Sequence, residues 1–323
     1  MKSEIQITDK KLSFVFILND IEVEGEMPVE VAPKHWFRKA QNDEVELIKK
    51  RLVLFTTLHF SPPSYELIVK EIKENPNSTK YSHEPLERQK WKYWVISFEG
   101  TNAELSDIAS AASLLLNDLE LGFAFLNIVP DSPNLAFSWH TSSLMSFFED
   151  KMFPKPHKKM MSDEIKEISD NYRFIKQIKP EHIHIARAFK KFQELKSLLR
   201  NSELVVITLF SIIESLIAHN PKSTEVGDSL GHQIKTKIPL LSKRFQRSLP
   251  YHQYFGDTPE VTVWTKLYEY RSKLVHGEDS RIDGTLRLLK DQQTAVRFLN
   301  ETVKLLLLLS LREPVLLTDL KQC

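Results

Sequence analysis

The chain has 323 residues, enough for two ordinary domains. Lys plus Arg total 44 against 43 for Asp plus Glu, which excludes a global pull towards nucleic acid or membrane, so any polyanion site has to be local. Hydrophobic residues at 41% with only 8 Gly argue against disorder, and the one cysteine, Cys323, excludes an intrachain disulfide and a cysteine-based metal site.

In chain order, Glu4–Thr8, Ser13–Leu18 and Ile21–Glu24 are short alternating or apolar runs with a turn at Asn19-Asp20, the pattern of a β-meander. Leu52–Phe60 predicts another strand, closed by Ser61-Pro62-Pro63, and Ser64–Lys73 a helix that opens after the prolines. Trp91–Phe98 predicts a strand, Ala103–Leu119 a helix, and Phe123–Val129 and Leu135–Trp139 two further strands. The expected fold class is an α+β N-terminal domain over residues 1–150 followed by an all-α helical bundle. Trp36, Trp91, Trp94 and Trp139 serve either a binding surface or, more commonly, core packing.

Residues 151–179 are expected to form a basic linker with a short helix at Asp163–Ser169. Beyond about residue 162 the strand signals vanish. Helices are predicted at Glu181–Arg200, Glu203–His219, Asp228–Arg247, Pro259–His276 and Thr285–Leu311, the last ending before Pro314. The second domain, residues 180–323, thus reads as a bundle of four or five helices. In its last helix Val296, Leu299, Val303, Leu306 and Leu307 follow one face, and Leu305, Leu308 and Leu309 widen it. Such a helix needs cover on more than one side, from the core or from a second copy. The N-terminal residues have no signal-peptide core, and Leu305–Leu309 is too short a run to span a bilayer. A cytoplasmic protein with no membrane partner is expected.

Two positions carry the chemistry. The helix Leu204–Ile217 is apolar nearly all round but contains Glu214. In the next-but-one helix Trp264, Leu267, Tyr268, Leu274 and Val275 step by three and four along one face, and Arg271 lies in that stripe. A buried guanidinium is costly unless paired, and Glu214 is the natural partner. The pair either fixes helix register or orients Arg271 for a phosphate. His276 follows five residues later, just before the helix-stopping Gly277. On one straight helix these two side chains sit about 140° apart. They meet only if His276 lies past the last regular turn, where Gly277 lets the chain bend back, or if two copies pool their residues about a two-fold axis. Arginine binds phosphate oxygens bidentately, and histidine transfers protons near neutral pH. Together they suit metal-independent RNA cleavage.

The segment Leu267-Tyr-Glu-Tyr-Arg-Ser-Lys-Leu-Val-His-Gly277 closely resembles the signature of the HEPN superfamily, particularly the Apea-like HEPN domains. Those carry Arg, four to six residues, then His. Glu214 falls in a helix resembling the family's earlier core helix, Ser229–Leu241 resembles the helix between, and the helix order over residues 180–312 is similar. The resemblance implies a metal-independent endoribonuclease that dimerises, with the arginine and histidine of both subunits in one cleft, working in antiphage defence by abortive infection. Arg271 and His276 carry over as catalytic residues, and Ser272, Lys273 and Glu214 as supporting ones. Cleavage would leave a 2′,3′-cyclic phosphate and a 5′-hydroxyl, with tRNA among the plausible targets. The alternative is a non-catalytic module that binds nucleotide, RNA or a partner protein.

Nothing in the N-terminal half carries a resemblance; its expected role is sensing a phage-derived or nucleotide trigger, or positioning substrate. Lys158 and Lys159 in the basic stretch, with Lys190 and Lys191, are candidates to track an RNA backbone, although a solvated linker explains the stretch equally well. His182 and His184 diverge by about 200° if helical and read as surface and core residues. No metal and no cofactor are expected.

Overall fold

The computed structural model describes residues 13–53, 64–75, 78–99, 101–117, 119–126, 135–138, 158–199, 201–221 and 229–322. The predicted strand at Glu4–Thr8, most of the one at Leu52–Phe60, and Trp139 lie outside these residues. The chain divides into two compact units, residues 1–172 and 173–323. No helix among the described residues is long and apolar enough to cross a membrane.

The first unit is β-rich. It contains strands β1 (Ser13–Ile17), β2 (Ile21–Glu24), β3 (Val29–Ala32) and β4 (His35–Lys39), then helix α1 (Asn42–Val53). Strands β5 (Leu67–Asn75), β6 (Ser78–Pro85) and β7 (Trp94–Phe98) follow, then helix α2 (Leu105–Ala112). Next come β8 (Leu121–Leu126), β9 (Leu135–Ser138), β10 (Lys158–Met161) and α3 (Ser162–Lys176). Six strands form an antiparallel sheet in the order β3-β4-β7-β1-β8-β9. The sheet's middle strands are apolar on both faces and buried at every position, which is why they sit in the middle.

The expected β-meander is corrected. β1 lies between β7 and β8, with Val15 opposite both Ile96 and Ala124, while β2 pairs in parallel with β10. A strand buried at all its positions is better satisfied with a partner on each edge than at the end of a hairpin. Lys158 and Lys159, expected in a linker, therefore lie in a strand of the first unit. The residues after Ser64 form a 3-10 turn and then the hairpin β5–β6, where a helix was expected. Leu67 and Val69 point inward while Lys70 is exposed, and this period of two overrides the helix-like run of Lys and Glu. Leu52 and Val53 close α1 instead of opening a strand.

Val45, Ile48 and Leu52 of α1 pack on Phe14, Phe16, Val95, Phe123 and Phe125 of the sheet. The helix is fastened by a bidentate pair, Arg38 to both oxygens of Glu44 at 2.7 and 2.8 Å, with Arg38 Nε donating to Ser97 Oγ at 2.9 Å. Two of the tryptophans serve packing: Trp94 is buried and stacked on Phe37, and Trp91 is half-buried beneath Lys49 and Arg88.

The second unit is helical: α4 (Ile183–Leu195), α5 (Leu204–Ile217), α6 (Leu230–Ser242), α7 (Tyr251–Phe255), α8 (Glu260–His276), α9 (Gln292–Arg312) and α10 (Pro314–Gln322). α5 is central, packing against α4, α6, α8, α9 and α10. The buried Lys237 of α6 donates to Ile217 O and Leu320 O, placing a cation at the C-terminal ends of α5 and α10. The predicted Thr285–Leu311 helix is divided. A 3-10 turn at Gly284–Leu289 precedes Asp291, which caps α9 by accepting from Thr294 N at 2.6 Å. Every residue from Thr302 to Leu311 is buried within the chain, so Leu305, Leu308 and Leu309 need no second copy to cover them.

Candidate functional site

Helix α8 opens after Pro259 and buries Val263, Trp264, Leu267 and Tyr270, a three-and-four spacing that faces the bundle. Trp264 Nε1 donates to the Tyr251 hydroxyl at 2.7 Å, which fixes the helix against α7. The buried stripe ends at Tyr270. Arg271, Ser272, Lys273 and Leu274 are half-buried, and Val275 and His276 are exposed. The expectation that Leu274 and Val275 continue the core face is corrected: the last turn climbs out of the bundle and presents its residues to solvent. The helix is regular through His276 and stops at Gly277, whose φ of +67° is the left-handed conformation that favours glycine. Gly277 N and Glu278 N both donate to Lys273 O. His276 therefore lies within the regular helix and not past its last turn, and in one chain Arg271 and His276 leave the helix about 140° apart.

Arg271 is held from two sides. Its Nη2 lies 3.1 Å from Glu214 Oε1 and 3.3 Å from Oε2, so the two helices are joined by the expected ion pair. Its guanidinium carbon sits 5.6 Å from the Tyr268 ring centre, and that ring packs edge-on against Phe210. Gly231, at the start of α6, lets the backbone approach the same ring; a Cβ there would come within 2.9 Å of it. Arg271 Nε is buried and meets no hydrogen-bond partner among the described residues. Burial pushes the Glu214 carboxyl above its ordinary pKa, and the charge and hydrogen bond of Arg271 oppose that rise.

The remaining sequence candidates separate. Lys191 donates to Ser211 Oγ at 2.8 Å, one turn of α5 from Glu214. Lys190 points outward beside Glu194. Lys159 is 3.2 Å from Glu24, within the first unit. His182 is buried in a 3-10 turn, with Nδ1 3.1 Å from Thr318 Oγ1, and His184 is half-buried with its ring 6.4 Å away. The predicted division into surface and core is replaced by two neighbouring rings, because the regular helix begins only at Ile183. No metal-binding group of three or more His, Cys, Asp or Glu side chains occurs among the described residues.

One feature was not foreseen. Glu214 also lines a cleft of about 660 Å³ bounded by α4, α5 and α10, into which Lys191, His184, Ser215, Thr318 and Lys321 turn. Its sequence signal is periodic. Residues 211, 214 and 215 form one stripe on α5 with Ala218 just past its end, residues 184 and 191 lie on one face of α4, and 318 and 321 on one face of α10. No family model, no curated protein and no solved structure matches the chain.

Proposed function

We propose that the chain is a metal-independent endoribonuclease whose helical unit is an Apea-like HEPN domain, acting as a homodimer in antiphage defence. The observation that carries this reading is the coexistence of a restrained cation and an exposed histidine on one short stretch of helix. Arg271 is pinned by Glu214 and Tyr268, while His276 is exposed at the helix end. A fixed cation suits the charge that develops on a phosphorane, and an accessible imidazole suits proton transfer.

In the proposed reaction a histidine removes the proton from a ribose 2′-hydroxyl. The 2′-oxygen forms a bond to the adjacent phosphorus as the bond to the 5′-oxygen breaks. Arg271 of one chain stabilises the added negative charge while the partner's His276 is the base, and the departing 5′-oxygen takes a proton from solvent. The products are a 2′,3′-cyclic phosphate and a 5′-hydroxyl. Since the two side chains diverge within one chain, the shared arrangement is the one that brings both to one phosphate.

The test is incubation of the full chain with total RNA in EDTA. Cleavage that disappears in His276→Ala, with unchanged melting, supports the reading; equal cleavage by that variant removes it. A non-catalytic binding module is the second reading. It is favoured by Glu278 and Asp279, two acids that follow Gly277 close behind the histidine, although Asp279 is paired with Arg281. Under that reading the wild-type chain cleaves nothing.

A further inference from the structure

We propose that the cleft between α4, α5 and α10 is a separate site for a small organic phosphate, with Lys191 and Lys321 as the pair that holds the phosphate group. Binding there does not require Arg271 to act on RNA. The volume of about 660 Å³ falls inside the range of roughly 300–1,000 Å³ common for small-molecule sites. The lining is cationic and polar. Among its residues Glu214 is the one carboxylate, and its nearest charge partner is Arg271 at 3.1 Å. Lys191 feels the Glu214 charge without a contact ion pair, and Lys321 faces the cleft with no ion pair among the described residues.

Their hydrogen bonds are to neutral groups: Lys191 to Ser211 Oγ and Lys321 to Ser215 O, each at 2.8 Å. Lys321 so doing caps the C-terminal part of α5, but an ammonium has further donors to offer an anion. His184 lines the same space, and its Nε2 is buried and meets no hydrogen-bond partner among the described residues. An unsatisfied buried nitrogen is costly, and a turn of the ring that exposed it to a ligand oxygen would relieve it. The cations also stand close enough to oppose one another. Burial first, and then Arg187 and Lys191, hold the Lys321 ammonium below its ordinary pKa. A phosphate between them turns that repulsion into charge-assisted hydrogen bonds. Asn220 and Gln322 at the rim supply amide groups for the organic part of the ligand.

Titration calorimetry on the full chain tests this with inorganic phosphate, ribose 5-phosphate, AMP and a 5′-phosphorylated oligoribonucleotide. Saturable binding of ribose 5-phosphate or AMP is expected. Lys191→Gln and Lys321→Gln should each weaken it about tenfold or more, the loss of one charge-assisted contact. Lys243→Gln, at an exposed position after α6, should leave it unchanged. Should Lys321→Gln unfold through loss of the bond to Ser215 O, Lys191→Gln decides the matter. No saturable binding of any small phosphate, or equal affinity in Lys191→Gln, overturns the proposal. Binding of the oligoribonucleotide alone also overturns it and assigns the cleft to RNA.

Discussion

Glu214 is where structure and chemistry meet, because one carboxylate both holds Arg271 and lines the neighbouring cleft. Burial raises its pKa, with Arg271 opposing, so in the folded chain it takes up a proton at higher pH than an unfolded glutamate does. The stability it contributes is therefore greatest below the ordinary carboxylate range and declines as pH rises through the raised value. Glu214→Gln removes that titration. Urea unfolding of both proteins from pH 7 down to pH about 4.5 should show the wild type gaining stability relative to the variant as pH falls. A difference that stays constant would mean that Glu214 does not titrate in this window. At Arg271 the relevant property is shape. Lysine keeps the charge but loses the planar fork and the packing on Tyr268. Arg271→Lys should lower the proposed RNA cleavage by about 10²–10³, the scale of losing one transition-state contact, in a gel assay at fixed enzyme concentration.

At the scale of elements, the end of α8 is set by backbone conformation more than by contacts. Gly277 has a φ of +67°, and an added Cβ would meet nothing within 4 Å. Gly277→Ala should therefore cost about 1–2 kcal/mol through conformational strain alone, measured by denaturant unfolding, and Gly277→Asn clearly less. This boundary was legible in the sequence, as were most helices of the second unit, because their apolar periods and stops are local signals. The Glu214–Arg271 pair was legible too, since charges in two apolar stripes have few other partners. The hairpin β5–β6 was not: Lys and Glu dominate it, and only the tertiary burial of Leu67 and Val69 fixes its period of two. Nor was the parallel pairing of β2 with β10, whose partners are more than a hundred residues apart. The cleft escaped notice for the same reason. Its lining comes from separate helices, each offering polar positions that look like an ordinary solvated face.

For the whole molecule the proposed cleavage turns on whether Arg271 and His276 would act in one chain or across two. The continuous helix sets them about 140° apart, which favours sharing. Core burial of α9 removes that helix as the expected contact surface. The emergent turn of α8, with Val275 at 44% exposure beside half-buried Leu274, is then the surface on which two copies would meet. Complementation distinguishes the arrangements without any knowledge of the interface. Arg271→Ala and His276→Ala proteins are each expected to be inactive. If each site takes its arginine from one chain and its histidine from the other, a mixed dimer of the two variants contains one complete site and one lacking both residues. Random exchange at equal concentrations makes half of the dimers mixed, so the mixture should recover about a quarter of the wild-type cleavage rate. If both residues act within one chain, every site in the mixture lacks one of them and no activity returns. Recovery that follows the fraction of mixed dimers, as the two proteins are combined in varying ratio, would tie the shared site to the assembly itself.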